Sequence, residues 1–248
     1  MPDIAGYRAK LAVIVPSTNT IVEADFSHLF RIPGVTCHTG RMYIESPALD
    51  SNDAFTALLE QVDGAFETAV RDVMTCEPDY LVMGMSAPTF WGGRAGNATF
   101  RERARRLCGL GVTTGAEACS AALETLGARR IAVLTPYQPI MREQIVRYFE
   151  ESGFPVTRYV DLESPSATAI AAVTPERLRE VLRALDGPDV DAIVQVGTNL
   201  SMVRLAAEAE GWLGKPVIAI NAAIVWHAYR ANGFDDRILG CGSLLSEH

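Results

Sequence analysis

At 248 residues, 48% hydrophobic and 21% charged, the chain can bury a full core as one large or two small domains. A net charge of -8 argues against nucleic acid or an anionic membrane surface as the main partner, and no apolar run approaches the ~18 residues of a membrane span. The N-terminus has no apolar signal core, so the cytoplasm is the expected compartment; five scattered cysteines and four histidines without ligand spacing predict no disulfide framework and no metal.

Apolar runs of strand length alternate with segments of helical period along the whole chain. A strand is expected at 10–16 and a helix over 19–30. A second strand at 35–44 leads into a long helix over 51–75, which Asp50-Ser51-Asn52-Asp53 can cap. A strand at 79–84, a helix over 97–108, a strand at 110–114 and a helix over 116–126 follow. Between them Gly92-Gly93-Arg94-Ala95-Gly96 reads as a loop, not a phosphate loop, because it lacks the G-K-[ST] ending. The pattern then restarts, with strands at 130–135, 155–160, 191–196 and 215–220 and helices over 139–152, 174–185, 200–211 and 221–232. Thr174-Pro175 marks a helix start, and Gly127 and Gly153 sit where helices end. Wholly apolar strands between helices predict parallel sheets covered on both faces.

The two halves repeat each other. Lys10-Leu11-Ala12-Val13-Ile14-Val15-Pro16 matches Arg130-Ile131-Ala132-Val133-Leu134-Thr135-Pro136, and Asp79-Tyr80-Leu81-Val82-Met83-Gly84-Met85-Ser86 matches Asp191-Ala192-Ile193-Val194-Gln195-Val196-Gly197-Thr198. The expected fold is therefore α/β, with two pseudo-symmetric lobes, each a mostly parallel sheet flanked by helices, and a site in the cleft between them. The first lobe is expected over 1–114 plus 222–248 and the second over 115–221. The last helix, with Trp226 and His227, and the tail Gly240–Leu245 are expected to return to the first lobe.

Ligands of open parallel sheets bind at the carboxyl ends of the strands. The residues found there are Ser17, Thr18 and Asn19; Gly84, Met85 and Ser86; Thr135, Pro136 and Tyr137; and Gly197, Thr198 and Asn199. The set contains hydroxyls, amides and glycine-adjacent N–H groups but no carboxylate and no Lys, which suits an anion held by neutral donors. Taken singly, Ser, Thr and Asn after a strand are ordinary helix caps; recurrence in both halves is what favours a site.

At these residues the chain resembles the Asp/Glu racemase superfamily, in the branch holding maleate cis-trans isomerase and arylmalonate decarboxylase. Val15-Pro16-Ser17-Thr18-Asn19-Thr20 with Glu23, His38-Thr39-Gly40-Arg41-Met42 and Gly240-Cys241-Gly242-Ser243-Leu244-Leu245 are similar to isomerase segments. Met83-Gly84-Met85-Ser86 with Phe90-Trp91 and Gly93 looks like the decarboxylase loop, and Ala128–Ala132 through Pro136-Tyr137 matches both. The resemblance implies a cofactor-independent reaction at the carbon α to a carboxylate. Racemases and isomerases of the superfamily use two facing cysteines, and the decarboxylase uses one. Here those positions fall on Gly84 or Met85 and on Gly197 or Thr198, so two-thiol chemistry is not expected.

What survives is an arylmalonate-decarboxylase-like reaction on a small (di)carboxylic acid. Tyr137, Ser86 and Thr198 are its catalytic candidates, and Ser17, Thr18, Asn19, Gly84, Met85, Gly197 and Asn199 its substrate-binding candidates; Phe90 and Trp91 are expected beside Met85 in an apolar wall. The alternatives are an isomerase or racemase with non-cysteine acid–base groups, and a non-catalytic carboxylate-binding protein. The expected partner is a small carboxylic acid, with no cofactor, nucleic acid or membrane, and self-association is left open. Arg41, Arg94 and Arg101 read as surface charges, Glu117 as a first-turn acid or a general base, and His38 as hydrogen-bonded within its lobe.

Overall fold

The computed structural model describes residues 3–45 and 48–248. Strands β1 (Ala9–Pro16), β2 (Val35–Met42), β3 (Tyr80–Met83) and β4 (Gly111–Thr113) form one sheet in the order β2-β1-β3-β4. Strands β5 (Ile131–Thr135), β6 (Val156–Asp161), β7 (Ala192–Gln195) and β8 (Val217–Ala219) form a second in the order β6-β5-β7-β8. Every ladder is parallel, as the buried apolar inner strands lead one to expect, while the edge strands β2 and β6 are mixed in polarity and partly exposed. The helices are α1 (Ile21–Leu29), α2 (Asn52–Val73), α3 (Ala87–Phe90), α4 (Gly93–Cys108), α5 (Gly115–Thr125), α6 (Ile140–Glu151), α7 (Pro175–Leu185), α8 (Val203–Leu213), α9 (Ile220–Ala231) and α10 (Ser243–Glu247).

The internal repeat is a repeat of hydrogen bonding. At the start of each half, an acid heading the third strand holds the first strand: Lys10 N donates to Asp79 Oδ2 at 2.8 Å, and Arg130 N to Asp191 Oδ2 at 2.7 Å. At the other end the last ladder pairs are Ile14 with Met83 and Leu134 with Gln195. One residue further, Gly84 N donates to Ile14 O and Val196 N to Leu134 O, both at 2.8 Å. Ser86 and Thr198 therefore occupy equivalent places, as do Ser17 and Tyr137.

Packing follows the strand alternation. Leu11, Val13 and Val15 of β1 join a core continuous with the second sheet, whereas Ala12 and Ile14 face α2 and α4. Helix α2 turns one apolar stripe, Phe55, Val62, Phe66, Ala69, Val70 and Val73, inward. Phe66 is fully buried with its ring 5.1 Å from Phe100, and truncating such a side chain costs about 3–5 kcal/mol. The expected caps form: Ser51 Oγ accepts from Ala54 N at 3.2 Å and Thr174 Oγ1 from Arg177 N at 3.3 Å.

Two expectations are corrected. The segment 92–96 is the opening turn of α4, not a loop, because α6 anchors it: Gly92 N donates to Gln144 Oε1 at 2.9 Å and Arg94 N to Glu151 Oε2 at 2.8 Å. The tail does not return to the first half alone. Asp236 pairs with Arg8 beside β1 at 2.7 Å, but Ser243 N and Oγ donate to Glu210 of α8 at 2.7 and 2.8 Å.

Candidate active site

The carboxyl ends of β1, β3, β5 and β7 meet around a cavity of about 80 Å³. Thr18, Asn19, Met85, Ser86, Tyr137, Gly197, Thr198 and Asn199 line it together, although they come from opposite ends of the chain. Ser17 and Gly84 do not. Ser17 Oγ accepts from Ile44 N at 2.9 Å and so pins the segment after β2. The Gly84 N–H is consumed by the ladder extension to Ile14, which corrects the expectation that it faces a ligand.

A chain of hydrogen bonds crosses the cavity between the halves. Thr198 N donates to Ser86 Oγ at 3.3 Å, and Ser86 Oγ lies 2.5 Å from Tyr137 Oη. Thr198 Oγ1 donates to Gly84 O at 3.2 Å and accepts from Asn19 Nδ2 at 3.1 Å. Burial pushes the Tyr137 phenol up to about 12, against the smaller opposing pull of Ser86 and of the Ala87 N–H. It therefore stays protonated across the neutral range. Its ring packs edge-on to Phe55 at 5.4 Å, which fixes its direction.

The two asparagines line the cavity but serve mainly as scaffold. Asn19 Oδ1 accepts from Ile21 N and Val22 N, both at 3.0 Å, and so caps α1. Asn199 Oδ1 accepts from Thr20 N at 3.0 Å, and its Nδ2 donates to Ala167 O at 2.9 Å. Asn19 thus caps α1 and lines the cavity at once. Behind them Asn221 Nδ2 donates to both Thr198 O at 3.0 Å and Asp25 Oδ2 at 2.8 Å. Asp25 is pushed up to about 6, chiefly by burial.

Sequence reasoning missed the cover. The segments after β2 and β6 meet over the cavity: Ala48 bridges Ser166, Leu49 N donates to Pro165 O at 2.7 Å, and Gln138 Nε2 donates to Leu49 O at 2.5 Å. Leu49, Ala167 and Ile170 from these segments, with Phe55, Leu58 and Leu59 of α2, make an apolar ceiling. Their only signal was position in the crossovers after edge strands, several residues beyond the ends of β2 and β6.

Other singled-out residues lie elsewhere. Met85 lines the cavity, but Phe90 is buried against Tyr148 and Phe149, and Trp91 faces an outer groove between α2 and α4. Arg41 is more than a surface charge: it pairs with Glu23, and its Nη2 donates to Ser17 O at 2.7 Å and Asn19 O at 3.1 Å, which braces the β1–α1 loop. Arg94 Nη1 donates to Glu151 O at 3.1 Å. Glu117 pairs with Arg101 and lines a separate pocket with His227, so it is no base for this cavity. His38 Nε2 bonds Thr36 Oγ1 at 2.9 Å within its own strand. No cysteine lines the cavity; Cys119 is buried in α5 and Cys37 half-buried on β2.

Two parallel sheets of identical order, closing on a neutral, hydroxyl-lined hollow, define an α/β protein of the kind expected from the resemblance. The family model for arylmalonate decarboxylase matches residues 13–245, and the chain belongs to that family. It is 31% identical over 245 residues to an arylmalonate decarboxylase of Bordetella bronchiseptica, covering 96% of each chain. It is 27% identical over 246 residues to a maleate isomerase of Pseudomonas putida, covering 96% of this chain and 97% of the other. A maleate isomerase structure from Pseudomonas putida with maleate superposes with a TM-score of 0.87 at 26% identity, over 96% of this chain and 97% of that one. An arylmalonate decarboxylase structure superposes at 0.77 and 24% identity, over 96% and 100% of the two chains, a likeness of fold. Relatives of both kinds are enzymes.

Proposed function

We propose that the protein is a cofactor-independent decarboxylase of a small malonate-type acid. The observation that carries this reading is the chain Thr198 N–H, Ser86 Oγ, Tyr137 Oη, which ends on a protonated phenol in a cavity lined, among the described residues, by no charged side chain. Ser86 Oγ accepts from Thr198, so its own proton is available to Tyr137 Oη, toward which the Ala87 N–H also points. With its oxygen so supplied, the phenolic proton is left for a ligand.

In the reaction, the bond between the α-carbon and one carboxylate breaks and its electron pair passes into the remaining carboxylate as an enediolate. CO2 leaves toward the apolar ceiling of Leu49, Phe55 and Ile170. Tyr137, its oxygen supplied by Ser86, donates to an enediolate oxygen, and a donor aimed at such a charge contributes about 3 kcal/mol. Tyr137 gives its proton to the α-carbon and regains one from solvent. An enediolate is basic enough to take a proton from a phenol held near 12.

The test is CO2 release from substituted malonates by the wild type and by a Ser86→Ala/Tyr137→Phe double variant. Release that is abolished in the variant supports the proposal; equal release, or none from either, counts against it. A second reading, proton exchange at the α-carbon without loss of CO2, is favoured by the equivalent placement of Ser86 and Thr198 in the two halves, both lining the cavity. Deuterium entering recovered substrate of unchanged carbon content would select it. Thermal stabilization by a dicarboxylate with neither reaction would select a binding protein.

A further inference from the structure

A second concave site, of about 550 Å³, opens between α1, the start of α8 and the tail before α10. It brings Arg31, His28 and Arg204 together. Arg31 Nη2 lies 3.0 Å from His28 Nδ1, and Arg204 Nη2 lies 3.1 Å from His28 Nε2. A neutral imidazole offers one lone pair and one N–H, and a guanidinium only donates. One of the two contacts is therefore donor against donor, and protonating His28 would remove the remaining acceptor. Among the described residues neither Arg31 nor Arg204 is ion-paired, whereas Arg179 on the same wall is matched by Glu176 and Glu208. Asp25, on the cavity wall, attracts Arg204 only at longer range, since its carboxylate bonds Asn221.

Three donor groups thus converge on an open hollow with an acceptor deficit, on a chain whose overall charge is -8. We propose that this cleft binds a small dianionic oxygen ligand, bridged by the Arg31 and Arg204 forks and by His28. Guanidinium forks match paired oxygens of a phosphate or carboxylate. Such a ligand would supply the acceptors that His28 cannot. Its floor leads inward, because the Asn221 amide that holds Asp25 also holds the Thr198 carbonyl of the first cavity.

The experiment is calorimetric titration of the full chain with inorganic phosphate and, separately, with succinate, at fixed ionic strength. Saturable binding of at least one is expected. An Arg31→Gln/Arg204→Gln variant should weaken it by roughly tenfold or more, with Arg204→Lys intermediate. Tyr137→Phe should leave it unchanged, which separates this cleft from the first cavity. Tighter phosphate binding would point to a phosphorylated ligand, and tighter succinate binding to a dicarboxylate. No saturable heat with either anion, an unweakened Gln variant of wild-type melting temperature, or loss of binding in Tyr137→Phe would overturn the proposal.

Discussion

The two halves share a strand order and a hydrogen-bonding frame, yet they put different chemistry at equivalent places. Where the first half has Ser17, turned away to hold Ile44, the second has Tyr137, aimed into the cavity. Where the first half leaves β3 through Gly84-Met85-Ser86, the second leaves β7 through Val196-Gly197-Thr198, with Gly197 at φ +114°. That left-handed residue turns the Thr198 N–H onto Ser86 and its hydroxyl onto Gly84 O. The lesson is that a symmetric frame fixes where groups can stand, while single residues at its rim decide which of them face a ligand.

The largest expected difference between the halves is in turnover. Tyr137→Phe removes the terminal hydroxyl of the chain and should lower CO2 release roughly 10²–10³-fold, while Ser17→Ala, at the equivalent place, should leave it nearly unchanged. Steady-state rates on the same malonate compare the two, and equal losses would break the distinction.

The next difference is in pH dependence. Helix α1 buries Asp25, whereas α6 in the second half buries only Met141, Ile145, Tyr148 and Phe149. The Asp25 carboxyl sits near 6 in the folded state against an ordinary 3.8, so the folded chain holds this proton more tightly than the unfolded one. Its contribution to stability is fully present below 3.8 and falls as pH rises through about 6, by about 3 kcal/mol. Asp25→Asn should flatten that part of the stability profile, measured as the difference from wild type in urea melts across the window. Asp191 has the opposite sign: Arg130 holds it down to about 2, so its contribution is present above 3.8 and fades as pH drops through about 2.

A third contrast concerns Gly84 and Gly197, which with their neighbours Met85 and Thr198 are the candidates for the places where the resemblance expects thiols. A Cβ on Gly197 would lie 2.5 Å from Pro136 Cδ on a left-handed backbone, so Gly197→Cys should cost about 2 kcal/mol of stability. On Gly84 a Cβ would lie 2.8 Å from Val15 Cγ2 and 3.0 Å from Ile14 O, a crowding without the left-handed strain. Denaturant midpoints of the two variants should therefore rank Gly197→Cys as the less stable. The smallest effect should be the most symmetric one. Ser51→Ala and Thr174→Ala each remove one cap bond and should each lower stability by about 1 kcal/mol.

Much of this was legible in the chain itself. The inner strands β1, β3, β5 and β7 fall where nearly unbroken apolar runs lie, because a strand buried on both faces tolerates little else, whereas the edge strands β2 and β6 are mixed and only partly buried. The caps at Ser51 and Thr174 form because the donor that each satisfies is only three residues away. The repeat of Lys10 and Asp79 by Arg130 and Asp191 announced the paired sheets, and eight of the ten proposed site residues do line one cavity. The order and spacing of local signals was enough for these, since each depends on neighbours in sequence or on one periodic face.

What tertiary structure alone decided was which polar atoms remained free. Gly84, Ser17, Asn19 and Asn199 all sit at the right strand ends, but their donors and acceptors are claimed by a ladder, by Ile44, by the α1 N-terminus and by Ala167. The ceiling over the cavity comes from Leu49 and Ile170, which meet only when the crossovers after β2 and β6 pair. The Arg31–His28–Arg204 cluster likewise joins residues that lie 173 positions apart, counting from Arg31 to Arg204. A hydrogen-bonding group has few partners and short reach, so its availability depends on every atom within about 3 Å, and folding alone determines which atoms those are.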